Sequence, residues 1–272
     1  MNHGRLYAEV RAVADIGDDV VTRMWLLFDR HYADVSHETF LRDLKAKDHV
    51  FLLRERGTGL LCGFSTVQSY ERTVHGRRVR IVYSGDTICD PRYWGQRALH
   101  GAFLRYVLRV KLAHPLAPVY WFLISKGYKT FLLLARNFPE YWPRPERATP
   151  AWHAALLDAL ASEKFGEAWR RDRGILTFER PAGRLRPEVA PTGDAERADP
   201  LIAFFAARNP GAPAGEELCC LGRIGVGLAL NYARRRLLRA MRPAVRRSDA
   251  PPLGGTQVPA EVIRMSSVER MR

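Results

Sequence analysis

A glycine-containing turn between an apolar strand and an amphipathic helix is the segment of this chain best suited to chemistry. The turn spans Asp90–Gln96 and is followed by Arg97 and Ala98. The first backbone N–H groups of a helix have no partners within it and lie at the positive end of its dipole, so such a turn suits a phosphate group. Gly95 allows close approach, and Arg92 and Arg97 supply charge. An ordinary strand-to-helix connection is the alternative interpretation.

The same segment resembles the coenzyme A loop of the GNAT superfamily of N-acetyltransferases, which reads Gln/Arg-x-x-Gly-x-Gly/Ala. Arg92 and Gly95 match this pattern, whereas Arg97 stands where the family has glycine or alanine and Ala98 comes one residue late. The resemblance implies acetyl-CoA or a longer acyl-CoA as co-substrate, no metal, and acyl transfer to a primary amine. It also implies carrier contacts from the strand end, the turn and the next strand, at Ile88, Cys89, Arg92, Trp94, Gly95, Gln96, Arg97, Ala98 and Ser125.

The resemblance further implies a general base and an oxyanion donor, since in this superfamily the amine attacks the thioester directly. We expect Asp86 to be the base, because a carboxylate buried on the strand would have its pKa raised towards neutrality. A bulged, structurally hydrogen-bonded segment Ser84–Thr87 is the alternative interpretation of Asp86. The oxyanion donor is expected to be the backbone N–H of Ile88 or Cys89.

A general acid is the least clearly marked of the catalytic groups. The family often carries a tyrosine on the helix after the second core strand, and the equivalent position here is Leu133. Tyr128, at the start of that helix, is the candidate substitute, with packing or substrate contact as its alternative. The missing tyrosine, together with Arg97, also suggests a catalytically silent acyl-CoA sensor as an alternative to an enzyme.

The elements around the turn predict an α/β fold with a mixed, mainly antiparallel sheet flanked by helices. The predicted elements are helices over Val20–Tyr32 and after Ser36, strands over Val50–Arg54, Leu60–Gln68 and Val79–Cys89, a helix from Leu99, a strand over Val119–Ile124, and a helix over Gly127–Phe138. The polar segment Glu71–Arg78 is expected to be a connection. This order also resembles the superfamily, in which splaying of the strands at Val79–Cys89 and Val119–Ile124 would admit the pantetheine arm.

The chain divides into three predicted parts. Residues 1–142 form a GNAT-like core that binds acyl-CoA, and residues 143–242 complete the sheet with helical insertions and a basic helix. Residues 243–272 are expected to be disordered. Ile175–Phe178 and Glu217–Leu221 are the predicted closing strands. The extra helices suit a bulky acceptor or a long acyl chain, and the length loosely resembles superfamily members that acylate peptide or amino-acid amines.

The net charge of +14 predicts anionic partners. Much of the excess lies in residues 224–247, where an apolar half is followed by an arginine-rich half. This segment suits docking on an anionic membrane surface or an acidic acyl carrier protein, or else a packing helix with a solvated basic end. Nucleic acid is a less suitable partner, because no aromatic residues alternate with the arginines. A basic membrane-surface or nucleic-acid binding protein is the second alternative to the enzyme.

The cysteines and the apolar runs bear on the compartment. The four cysteines have no metal-ligand spacing and form no disulfide framework, which fits a reducing compartment. No stretch reaches the roughly 18 apolar residues of a membrane span. We therefore expect a cytoplasmic protein.

Overall fold

The computed structural model describes residues 4–33, 36–178, 184–185 and 199–240. Its helices are α1 (Asp18–His31), α2 (His37–Lys45), α3 (Ala98–Ala113), α4 (Tyr128–Ala135), α5 (Ala151–Phe165), α6 (Pro200–Arg208) and α7 (Val226–Ala240). Its strands are β1 (Leu6–Ala12), β2 (Tyr32–Ala33), β3 (His49–Glu55), β4 (Leu61–Val74), β5 (Arg77–Cys89), β6 (Val119–Ser125), β7 (Tyr141–Trp142), β8 (Trp169–Arg170), β9 (Ile175–Leu176), β10 (Arg184–Leu185) and β11 (Glu217–Ile224).

One sheet holds most of these strands, in the order β1-β3-β4-β5-β6-β11-β9-β8, with β7 also paired to β11. Neighbouring strands are antiparallel except β5 and β6, which run parallel. The crossover that a parallel pair needs is supplied by α3. The predicted fold class, a mixed and mainly antiparallel sheet flanked by helices, is therefore confirmed.

Different helices cover the two faces of the sheet. Alternate residues separate the faces, because successive side chains of a strand point to opposite sides. Ile81 and Phe122 pack with α5, whereas Val82 and Trp121 pack with α3 and α4. Helices α1 and α2 cover the same side as α5, and α6 and α7 cover the other. We call the α1/α2/α5 side the first face and the α3/α4/α6/α7 side the second face.

Two helices begin directly after a residue whose side chain caps them. The Ser36 hydroxyl accepts a hydrogen bond from the Thr39 N–H, so α2 begins where a serine cap predicts it. The Asp199 carboxylate does the same for α6 by accepting from the Leu201 N–H. Phe40 and Leu44 then turn α2 onto the first face.

Two features of the sheet differ from the sequence predictions. The prediction of a polar connection over Glu71–Arg78 is wrong, because β4 and β5 stay paired as far as Val74 and Arg77. Only His75 and Gly76 form the turn, both with positive φ (46° and 75°), as a type I′ hairpin turn requires. The edge strand β1, which pairs with β3, has no counterpart among the predicted elements.

The second half of the chain completes the same sheet. Strand β11 pairs with β6 along Leu218–Ile224, and β9 pairs with β11 at Glu217 and Leu218. The pairing of the two predicted closing strands is thus confirmed. The tail 243–272 and most of the connection 180–199 lie outside the described residues. Within those described, no helix is long and apolar enough to cross a membrane.

Candidate active site

The parallel strands β5 and β6 separate at one end. Their pairing runs from Arg80 beside Val119 to Ser84 beside Leu123 and stops there. Strand β5 continues to Cys89 on the β4 side alone, and β6 continues to Ser125 on the β11 side. A cleft therefore opens through the sheet, as the family resemblance implied. The turn before α3 lies at the same end.

A bulge in β5 lies at the mouth of this cleft. Ser65 is opposite Thr87 and Val67 is opposite Ser84, so Thr66 alone faces Gly85 and Asp86. One extra residue reverses the alternation of the side chains beyond it. Asp86 consequently points to the first face, the side on which Ile88 packs, and not to the second face.

Gly85 is the residue that makes the bulge sterically tolerable. A Cβ at this position would lie 2.6 Å from Thr66 Oγ1 and 2.8 Å from Lys47 Cε. Thr66 is 1% exposed, and its hydroxyl has no hydrogen-bond partner among the described residues. The two interpretations of Ser84–Thr87 are therefore compatible, since the segment is bulged and the bulge directs Asp86 into the cleft.

The environment of Asp86 favours its neutral form. Burial raises the pKa of its carboxyl group, Lys47 and Lys126 act in the opposite direction, and Asp43 adds to the rise. The direction is the one expected of a general base that works near neutral pH. Asp86 is half-buried, so it is not sealed in the core.

Glu217 is a second carboxylate of the cleft, and its role was not predictable from the sequence. It begins β11 on the first face and is 4% exposed, with Oε1 3.4 Å from Lys126 Nζ. Burial raises its pKa to about 7, against the opposing effect of Lys126 and with a contribution from Asp86. The one signal in the sequence is a charged residue at the head of an otherwise apolar strand.

The backbone at the end of β5 distinguishes the two predicted oxyanion donors. Asp90 N–H donates to Cys62 O across the β4–β5 ladder at 2.9 Å. Because amides of an antiparallel strand alternate in direction, Ile88 N–H also faces β4, whereas Cys89 N–H faces away from it. Cys89 thus presents its amide to the open edge of β5, the direction from which a thioester would approach.

The backbone of the predicted phosphate turn follows the expected path, but the charge of Arg92 is paired with Asp90. Gly95 has φ of +83°, which suits glycine, and α3 begins at Ala98 with its first amides free of helix partners. Arg92 is held by Asp90, with Nη2 2.7 Å from Oδ2 and Nε 3.0 Å from Oδ1. This ion pair lowers the pKa of Asp90 and offsets the positive charge that we assigned to Arg92.

Two other turn residues make contacts within the protein. Gln96 accepts from Leu6 N–H and donates to Gly4 O, which ties the turn to β1. Trp94 donates its indole N–H to Cys89 O at 2.8 Å, and Lys129 Nζ lies 3.5 Å from the centre of its ring. Trp94 therefore reaches from the end of β5 to the first turn of α4, across the mouth of the cleft.

Arg97 belongs to a basic groove of about 650 Å³ between β1 and the start of α3. The groove is lined by Arg5, Arg56, Arg97 and Arg105, with Tyr7 and Gly101 among the other residues. None of these arginines has an ion pair with a carboxylate among the described residues. The groove lies beside the free amides of α3 and suits an anion with several charges.

Ser125 and Tyr128 lie at the end of β6 and the start of α4. Ser125 is fully buried and donates to Gly127 O at 2.8 Å. Tyr128 is 8% exposed and packs in the core of the second face, and Leu133 lies further along α4. Their predicted roles as carrier contact and acid stay predictions.

Among the described residues, no group of three or more His, Cys, Asp or Glu side chains is arranged to hold a metal ion. The functional groups described above are carboxylates, lysines and backbone amides. The chemistry of the site, as far as these residues define it, is proton transfer and stabilisation of negative charge.

No family model and no curated protein matches the chain. Among solved structures it is similar to a probable N-acyltransferase from Enterococcus faecalis, at 16% identity and a TM-score of 0.35, over 58% of this chain and 43% of that one. It is also similar to a GNAT family N-acetyltransferase from Escherichia coli in complex with CoA, at 14% identity and a TM-score of 0.36, over 50% of this chain and 74% of that one. An Arabidopsis thaliana protein solved with a bisubstrate analogue gives 15% identity and a TM-score of 0.36, over 49% and 87%. The chain spans less than half the length of the Enterococcus protein.

The fold is a mixed sheet that splits between its two parallel strands. The half-buried Asp86 and the buried Glu217 lie on one side of the split, and the start of α3 lies on the other.

Proposed function

We propose that this protein is an acyltransferase that moves an acyl group from a coenzyme A thioester to a primary amine by direct attack. The observation that carries the proposal is the open edge of β5 beyond Ser84. There the bulge turns the Asp86 carboxylate to the first face, and the Cys89 amide points into the gap between β5 and β6. A base and an oxyanion donor thus flank one opening through the sheet.

The carrier would bind from the second face. The free amides at the start of α3 and the Arg97 side chain suit the pyrophosphate, and the basic groove offers further positive charge. The pantetheine arm would then pass between β5 and β6 to bring the thioester beside Cys89 N–H. Arg92 contributes indirectly, because it neutralises Asp90 close to the phosphate position.

The reaction divides among the residues as follows. Asp86 takes one proton from the acceptor ammonium, and the neutral nitrogen attacks the thioester carbon. The new C–N bond leaves an oxyanion that accepts a hydrogen bond from Cys89 N–H. Cleavage of the C–S bond releases the thiolate, which takes up the second proton of the nitrogen through Tyr128 or solvent. Ammonium and thioester thereby give an amide, a free thiol and one released proton.

Glu217 and Lys126 act on this chemistry through Asp86. Both carboxylates lie on the first face, and each raises the cost of ionising the other, as the contribution of Asp86 to the pKa of Glu217 indicates. Lys126 offsets part of that cost for both. We therefore assign Asp86 as the base, because it is less buried than Glu217, and Glu217–Lys126 as a positioning pair.

The proposal is tested with the purified full chain, acyl donors of increasing length and a panel of amines. Acetyl-CoA, octanoyl-CoA, palmitoyl-CoA and a palmitoylated carrier protein would be offered, with thiol release and the mass of the amide both followed. We expect both products with at least one donor, and their loss in Asp86→Asn. Tight binding of acyl-CoA without any amide would contradict the enzyme and favour the sensor.

A further inference from the structure

Two lysine ammonium groups converge on one buried aromatic ring beside the proposed base. Lys47, just after α2, places Nζ 5.6 Å from the centre of the Tyr83 ring, and Lys164, near the end of α5, places Nζ 4.2 Å from it. Tyr83 is 5% exposed and lies on the first face. The two cations come from different helices, so the fold and not a local sequence run brings them together.

No carboxylate of the described residues forms an ion pair with either lysine. Lys47 Nζ donates to the backbone carbonyl of Asp43 at 2.8 Å. Glu163, beside Lys164 in the sequence, is already paired with Arg72 at 2.8 Å. Burial lowers the pKa of Lys164, and the positive charge of Lys47 lowers it further, whereas Asp43 and Glu163 act in the opposite direction. Two half-buried like charges of this kind are stabilised when an anion lies between them.

The lysine pair is adjacent to the transfer point. Lys47 Cε occupies the space left by the missing side chain of Gly85, the residue before the proposed base. Lys47 is also the largest of the charges that lower the pKa of Asp86. The unpartnered hydroxyl of Thr66 lies at the same bulge. The proposed base, the Thr66 hydroxyl and the two lysines thus lie along one short stretch of the first face.

We propose that Lys47 and Lys164 bind an acidic group of the acceptor, so that the acceptor is an amine carrying a carboxylate or a phosphate near its amino group. The inference rests on the proposed acyl transfer and names its substrate class. Asp86 would receive the ammonium end while the two lysines hold the acidic end. A simple alkylamine would satisfy Asp86 and leave the lysines without an anion.

The test compares acceptors that differ only in the acidic group. Glycine and glycinamide, β-alanine and its amide, and phosphoethanolamine and ethanolamine form matched pairs, in which the last pair separates phosphate from carboxylate. In at least one pair, we expect kcat/KM to be at least about tenfold higher for the acidic member than for the neutral member, because the acidic group gains a charge-assisted contact. In Lys164→Met the preference should fall to about twofold while the neutral member keeps its rate. In Lys47→Met the loss of the Lys47 charge also raises the pKa of Asp86 and so alters both rates, but the ratio between the acidic and the neutral member should fall in the same way.

Two controls make the result specific. Lys45→Met removes an exposed lysine from α2 and should leave the preference unchanged. The acidic and the neutral member of a pair differ in the basicity of their amino groups. Comparing the ratio of their kcat/KM values in the variant with the same ratio in the wild type cancels this difference. Thermal unfolding of each variant checks that the fold is retained.

Calorimetric titration of the same acceptors separates failure of this inference from failure of the proposed function. Turnover without preference for an acidic acceptor overturns the lysine site and leaves acyl transfer standing. Lysine-dependent binding of an acidic acceptor without turnover supports the site and contradicts acyl transfer. Absence of both binding and turnover overturns both.

Discussion

Lys126 Nζ lies 3.4 Å from Glu217 Oε1 across the ends of β6 and β11, where only 18% and 5% of the two side chains are exposed. Because β11 is the strand next to β6, a residue from the second half of the chain lies beside the cleft formed by the first half. Burial has a larger effect on the pKa of Glu217 than the nearby Lys126 does, since this pKa is raised to about 7.

The raised pKa of Glu217 predicts a pH-dependent stability. The usual value of 4.5 applies to the unfolded chain, so unfolding releases a proton between pH 4.5 and about 7. The stability that the protonated carboxyl provides is complete below pH 4.5 and is lost as the pH rises through 7. Glu217→Gln has no carboxyl group to ionise and so does not suffer this loss. The unfolding free energy of the variant minus that of wild type should therefore increase by up to about 3 kcal/mol between pH 5 and pH 8.

Urea unfolding across that pH range measures the difference directly. Glu38→Gln, an exposed glutamate of α2, serves as the control and should run parallel to wild type. A Glu217→Gln curve that also runs parallel would mean that Glu217 is ionised in the folded protein at all these pH values.

Gly85→Ala should disturb the bulge that directs Asp86. The added Cβ would meet Thr66 Oγ1 at 2.6 Å and Lys47 Cε at 2.8 Å, and the threonine is 1% exposed. We expect a loss of about 1–3 kcal/mol in stability and a larger fall in kcat than in affinity for acyl-CoA. Urea unfolding and steady-state kinetics would show both.

The double variant Gly85→Ala/Thr66→Ala tests the stated cause, because it removes the atom that the new Cβ meets. It should recover part of the stability. Gly225→Ala is the matched control, since a Cβ there meets nothing within 4 Å. Equal effects at the two glycines would show that the crowding at the bulge is irrelevant.

Arg92 should affect carrier binding through Asp90. Removing Arg92 leaves the Asp90 carboxylate unneutralised beside the predicted phosphate position, so Arg92→Ala should weaken CoA binding roughly tenfold. Asp90→Asn/Arg92→Ala removes both charges and should restore most of the affinity. Isothermal titration with CoA measures the affinities of this double-mutant cycle. A double variant as weak as the single one would mean that Arg92 contacts the carrier itself.

The sequence predicted the elements with a clear apolar pattern, and it failed where polar residues occupy strands. Helices α2 and α3 repeat their apolar residues at helical spacing, and strands β3, β6 and β11 contain short continuous apolar runs. The ends of β4 and β5 carry exposed charges such as Glu71 and Arg78, while only Val74 and Val79 are buried there, against α5. A hairpin end of this composition resembles a loop. Strand β1 buries little at an edge, so its alternation is weak.

The candidate site was predictable only where its residues are neighbours in the sequence. Asp86, Cys89 and the turn to Ala98 form one continuous segment. Glu217 and Lys164 reach the same cleft from β11 and α5, and Lys47 reaches it from the turn after α2, so only the tertiary fold brings the three together. The choice between Cys89 and Ile88 also needed the strand register, which no local pattern gives.

The role of Asp86 is tested most directly by the rate of amide formation in a single turnover, measured against pH with acyl-CoA already bound. The raised pKa of Asp86 predicts a wild-type rate that climbs with pH and then levels off as the carboxyl ionises. Asp86→Asn should be slower by about 10²-fold and lose this ionisation, whereas the exposed Asp172→Asn should match wild type. An Asp86→Asn protein with the wild-type rate and the wild-type pH profile would contradict acyl transfer assisted by this carboxylate.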